Sequence, residues 1–128
     1  MKLGNERGLT LGELMIAVTI IGILMTIAIP LYADILARSR VAQAQADLRT
    51  IASAVSTYSA HVGAPPATLD SLTATAKNAR DEVVGPFMAS IPKEPSGWST
   101  YAAGYSADPA AGTFTLTATG DGRTITVP

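Results

Sequence analysis

Between Leu9 and Ile29 nearly every position is apolar, and from Leu14 to Ile29 there is no charge at all. Counted from Leu9 the run is about 21 residues, roughly 31 Å as a helix, enough to cross the hydrocarbon of a bilayer. Glu13 is the one acid at its edge. A carboxylate in lipid costs about 2.5–3.5 kcal/mol and persists only with a partner or a function. Beyond Pro30 the pattern becomes amphipathic: Val41, Ala44, Leu48, Ile51, Val55, Tyr58 and Val62 recur at three-and-four spacing, with Gln43, Gln45, Asp47, Arg49 and Ser53 mostly on the other side. One helix is therefore predicted to run from the apolar stretch into a water-facing domain. Pro30 removes a backbone donor and Gly22 is a second weak point, so a kink is expected there.

The helix should stop near Gly63, because Pro65 and Pro66 prevent continuation. A short second helix is predicted over Leu69 to Ala76, with Thr68 as cap and Leu69 and Leu72 facing inward. Lys77 to Gly85 reads as a polar connection, loop or loose helix. Phe87, Met88 and Ile91 form another apolar patch, and Pro92, Pro95 and Gly97 bracket a loop ending at Trp98. From Ser99 the period switches to two. Tyr101, Ala103 and Tyr105 form a first run, Phe114, Leu116 and Ala118 a second, and Ile125 and Val127 a third. Gly120-Asp121-Gly122 is a tight hairpin signal, and Asp108-Pro109 through Gly112 joins the first two runs.

The fold class that follows is α+β: a long N-terminal helix packed on a three-stranded antiparallel meander, since neither apolar face can be buried alone. The expected divisions are a leader at 1–8, a transmembrane helix at 9–30, its amphipathic continuation at 31–62, a short helix with loops at 63–98, and the meander at 99–128. At 128 residues the chain is one small domain plus its anchor. The 48% hydrophobic content is inflated by the apolar run, and the remainder is rich in Ala, Thr and Ser. Net charge is −1, and removing Lys2, Glu6 and Arg7 takes away one net positive charge, so nothing points to a grip on nucleic acid. There is no cysteine.

The N-terminal stretch carries a short basic leader, Gly8, Thr10 and Leu11, and Glu13 five residues past Gly8. It resembles the prepilin signature of type IV pilins and type II secretion pseudopilins. The resemblance implies cleavage after Gly8 by a prepilin peptidase, methylation of the new amine on Leu9, and pairing of Glu13 with a neighbouring subunit's terminus. An amine at Leu9 would stand four residues, one helical turn, before Glu13. The family usually has phenylalanine where this chain has Leu9, and a branched aliphatic where it has Gly12. The resemblance also implies a pilin-like fold, and unwinding of Gly22 to Pro30 when subunits pack. Gly85 to Pro92, G-P-F-x-x-x-I-P, is similar to the pseudopilin segment before the sheet and favours that branch.

The function implied is that of a structural filament subunit, in a type II secretion system or a closely related type IV pilus. The alternatives are a major type IV pilin for adhesion, motility or DNA uptake and, in another class, a membrane-anchored periplasmic binding module that never polymerises. The implied partners are further copies of the chain in a helical filament, the prepilin peptidase, an inner-membrane assembly platform, minor pilins or pseudopilins, and lipid before assembly. The implied location is the bacterial inner membrane, N-terminus cytoplasmic and C-terminal domain periplasmic, and then a filament. Lys2 and Arg7 favour that orientation, although Arg38 and Arg40 flank the other end. An ordinary secretory signal would instead be cut near Ala33, and a plain anchor would stay uncut.

No enzymatic constellation accompanies this pattern. His61 is the single histidine and no G-x-S-x-G occurs. No cofactor is expected, calcium being the nearest question because major pseudopilins bind it in a loop between C-terminal strands. Asp108 and Asp121 are the oxygen donors available, but that family's aspartate-rich loop is missing and both read better as turn residues.

Overall fold

The structure, a computed structural model, describes residues 7–128; most of the expected leader lies outside the described residues. The chain divides into a first unit ending at Leu36 and a second, Ala37–Pro128.

Helix α1 runs Leu11–Val62 and continues unbroken through Gly22 and Pro30. Its start is set by Thr10, the last non-helical residue, and its end by Gly63, whose positive φ of 96° lets its N–H donate to the Ser59 carbonyl at 2.8 Å. Within the second unit the helix buries Ala44, Leu48, Ile51, Ala52, Ala54 and Val55, with Val41 and Tyr58 half-buried. That is the predicted stripe as far as Tyr58, with Ala52 and Ala54 added; Val62, its expected last member, is half-buried outside the core cluster.

Opposite the stripe lies a three-stranded antiparallel sheet in meander order, β3 (Tyr105–Asp108), β4 (Thr113–Gly120) and β5 (Arg123–Val127). Tyr105 pairs with Leu116 and Ala107 with Phe114; Leu116 pairs with Val127 and Ala118 with Ile125, so one face is apolar. Leu116 and Ala118 join Leu48, Ile51, Val55, Leu69, Leu72, Trp98 and Tyr101 in a single core cluster. The threonines of β4 alternate away from it. Asp121 and Gly122 form the two-residue turn between β4 and β5, with φ of 50° and 69°, the double positive φ that a type I′ hairpin requires.

Four sequence expectations are corrected. The second helix is a single 3₁₀ turn, Leu69–Leu72, because the Leu72 carbonyl is taken by the N–H groups of Phe87 and Met88 instead of continuing a helix. Thr68 makes no side-chain cap; its carbonyl accepts from Ser71 N–H and its hydroxyl meets the Ser71 hydroxyl at 3.3 Å. Lys77 to Gly85 is not all loop: β1 (Ala76–Lys77) pairs antiparallel with β2 (Val83–Val84). Its turn is built by Asn78, whose side-chain oxygen accepts from the N–H groups of Arg80 and Glu82.

The first predicted strand begins late. Residues 101–104 form a turn, and only Tyr105 onward pairs with β4. Tyr101 is drawn into the core, with its hydroxyl donating to Asp47 of α1 at 2.9 Å. Gly104 lies so close to the Thr117 backbone that a Cβ there would overlap its carbonyl oxygen, while its own carbonyl accepts from Thr117 N–H at 2.9 Å. Tyr105 reaches back to the segment after α1, donating to the Pro66 carbonyl at 2.7 Å.

Candidate functional site

Two groups of residues carry the chemistry: the start of α1 in the first unit, and a polar node at the tip of the β4–β5 hairpin in the second.

Gly8 and Leu9 are exposed and non-helical, just ahead of the helix. Thr10 and Glu13 are joined reciprocally. The Thr10 N–H and hydroxyl both donate to Glu13 Oε2, at 2.8 and 2.9 Å, and Glu13 N–H donates to Thr10 Oγ1 at 3.2 Å. This is a capping box, in which the N-cap and the third helical residue satisfy each other's backbone donors. T-L-G-E is its sequence signature, and Thr10 and Glu13 are also the residues singled out from the prepilin resemblance. Oε2 carries both bonds, leaving Oε1 turned to no donor among the described residues.

Every large apolar side chain from Leu11 to Leu36 is exposed, Leu11 at 76% and Ile29 at 64%. The segment is long and apolar enough to cross a membrane, and none of its most apolar stretch is buried within the chain. Burying such side chains is worth about 1.5–3 kcal/mol each, so a run of this size does not stay in water. A Cβ on Gly22 would meet open space. Pro30 leaves the Thr26 carbonyl without its helical donor, and the Thr26 hydroxyl turns to the Ile23 carbonyl at 2.7 Å.

The second group was not foreseen as a unit. Arg40 on α1 grips Asp121 in bidentate fashion, Nε to Oδ2 and Nη2 to Oδ1, both at 2.8 Å, and Trp98 Nε1–H adds a third bond to Oδ2 at 2.9 Å. The Arg40 bonds, then the indole bond, lower the Asp121 carboxyl to about 2, while Asp121 raises the Arg40 guanidinium in turn. Gly120 lets the hairpin approach the indole: a Cβ there would clash with the Trp98 ring atoms. Ser99 completes the clasp, its N–H donating to the Thr119 carbonyl and its hydroxyl accepting from Thr119 N–H. Eighty-one residues separate Arg40 from Asp121, and neither periodicity nor motif links them.

Asp108 Oδ1 accepts from Ala110 and Ala111 N–H at the turn after β3. Asp108 and Asp121 are thus in separate turns. Among the described residues no group of three or more histidine, cysteine or acidic side chains is placed to hold a metal. His61 Nδ1–H donates to the Thr57 carbonyl at 2.9 Å, and its ring lies 5.7 Å from that of Phe87.

Comparison with known proteins gives two family matches. Residues 32–125 match the family described as type II secretion system, protein G, and residues 3–29 match the prokaryotic N-terminal methylation motif. Among curated proteins, the fimbrial protein EcpB of Eikenella corrodens is 43% identical over 61 residues, covering 48% of this chain and 38% of its own. The type IV major fimbrial protein FimA of Dichelobacter nodosus is 46% identical over 52 residues, 41% of this chain and 33% of its own. A fimbrial protein of Pseudomonas aeruginosa is 49% identical over 49 residues, 38% and 32% respectively. The matched part is thus well under half the length of each relative. No solved structure matches.

Proposed function

This chain belongs to the protein G family of type II secretion systems, within the type IV pilin and pseudopilin superfamily, and from that premise we propose that it is the pseudopilin of a secretion filament. In this reading the chain is made as a membrane precursor, cut after Gly8, methylated on Leu9 and drawn into a helical fibre. The observation that carries the proposal is the exposed apolar stretch of α1, closed at its start by a single carboxylate, Glu13.

Such a surface has two places to go. Before assembly lipid covers it; in a fibre the same stretch of other copies would cover it, with the sheet domains outward. Glu13 acts as the register device, because a carboxylate in an apolar core is penalised until a cation reaches it. Cleavage after Gly8 creates that cation at Leu9. Within one chain Glu13 already satisfies Thr10 through Oε2, and Oε1 is the oxygen left to meet an incoming amine. Gly22 and Pro30 are the places where α1 loosens as copies pack. The peptidase, the membrane platform and minor subunits are the partners this life cycle requires. The role is structural, not enzymatic.

A second reading is favoured by the fimbrial relatives: a major type IV pilin forming a long surface fibre. Neighbouring genes and shear-released fibres on cells separate the two. The shared core of both is tested by mass spectrometry of the terminal peptide from the membrane-extracted protein. Loss of Met1 to Gly8 with one added methyl is expected; an intact leader, or a cut near Ala33, overturns the assignment.

A further inference from the structure

Calcium is the ion that the resemblance to major pseudopilins implies for the loops between C-terminal strands, and the donor set at those loops does not fit it. Calcium takes six to eight oxygens, supplied by loops long enough to wrap it. Both oxygens of Asp121 are already engaged, Oδ1 by Arg40 and Oδ2 by Arg40 and Trp98. An indole N–H is a donor only, so a cation at Oδ2 would face the wrong end of a dipole. It would also stand beside a guanidinium. The turn itself is two residues, Asp121 and Gly122, with Gly120 pressed against the indole. Asp108, the other candidate, spends one oxygen on the N–H groups of Ala110 and Ala111 at a different turn.

We infer that the β4–β5 hairpin is fastened by a cation the chain carries itself, the Arg40 guanidinium, and that the subunit folds without divalent metal. A planar fork with two parallel donors matches a carboxylate better than a point charge does. The pair stands at the surface but is partly shielded, the Arg40 side chain being 31% and the Asp121 side chain 23% exposed, so its advantage over a free surface pair lies chiefly in the fork geometry. The third bond, from Trp98, ties the fastening to the core. The clasp therefore joins three distant stretches of chain, the helix, the segment before the sheet and the hairpin, at one carboxylate.

The test uses the full chain in detergent micelles and follows thermal unfolding by Trp98 fluorescence, in EDTA and in calcium at about 10 mM, roughly tenfold above the weakest extracellular calcium sites. Midpoints within about 1 °C of each other are expected, whereas a folded-state site of that affinity would raise the midpoint by about 5 °C or more. Arg40→Met is expected to lower the midpoint by several degrees in both buffers. Arg40→Lys, which keeps the charge but not the fork, should fall between and supplies the comparison should Arg40→Met not fold. A calcium-dependent rise in the unaltered chain, or Arg40 variants that melt where it does, overturns the inference. Because folding is read on the unassembled subunit, such a result leaves the filament reading to be judged separately by the terminal-peptide mass.

Discussion

Gly120 lies against the face of Trp98 with no room for even a methyl group between them. The indole cannot step aside, since it is 7% exposed and its N–H is held by Asp121. Gly120→Ala is therefore expected to destabilise the domain by about 1–3 kcal/mol, as overpacking does. Gly122→Asn provides the contrast. Its φ of 69° suits asparagine and a side chain there meets open space, so urea unfolding should show a change of under about 1 kcal/mol. Equal losses at the two positions would mean that the turn, and not the indole, sets the requirement.

The acid limb of stability should belong in part to Asp121. Its carboxyl is held at about 2, below the ordinary 3.8, by the Arg40 and Trp98 hydrogen bonds. The folded state thus binds its proton less readily than the unfolded chain. The contribution is complete above about pH 4 and is lost as pH falls through about 2. Melting curves of the unaltered protein and Asp121→Asn should differ at neutral pH and approach each other across that window. A constant gap down to the lowest pH would rule out the linkage.

An alkaline counterpart comes from Tyr101. Burial first, and then the hydrogen bond to Asp47, raise its hydroxyl above the usual tyrosine value of 10.0. The folded state keeps this proton where the unfolded chain releases it, so stability falls as pH rises past about 10. Tyr105 is raised in the same direction by burial and shares in the effect. Tyr101→Phe should flatten part of the alkaline decline while costing about 1 kcal/mol at neutral pH for the lost bond. Ultraviolet titration of tyrosinate checks it: the variant should lose one late-titrating group.

Glu13→Gln separates two roles that Glu13→Val removes together. Glutamine keeps the capping box with Thr10 but carries no charge. If charge pairing drives assembly, both variants should insert into membranes and neither should enter filaments, as judged by membrane fractionation and sheared fibres. Normal incorporation of the glutamine variant would leave Glu13 as a helix cap alone.

How far the sequence could be read depended on the range of the interaction. The stripe from Val41 to Val62, packed on the core as far as Tyr58, the stop at Gly63 with two prolines behind it, and the Gly120-Asp121-Gly122 turn are local signals with a fixed period or a fixed backbone demand. All three stand where they were expected. The β1–β2 hairpin was invisible because its four strand residues show no alternation and its turn depends on one asparagine side chain. Tyr101 to Gly104 misled for the opposite reason. Their alternation is genuine, but burial of Tyr101 against α1 and the contact of Gly104 with Thr117 bend them into a turn. The Arg40, Trp98 and Asp121 clasp has no local sign at all, since it comes into being only when three distant segments meet.

All core residues of the second unit, from Ala44 to Ala118, lie beyond Leu36, and so do both partners of the Arg40–Asp121 pair. A gene fragment opening at Ala37 thus leaves behind the part that demands detergent and retains the complete interior of the part that does not. Such a truncated product is the natural material for solution NMR and crystal growth.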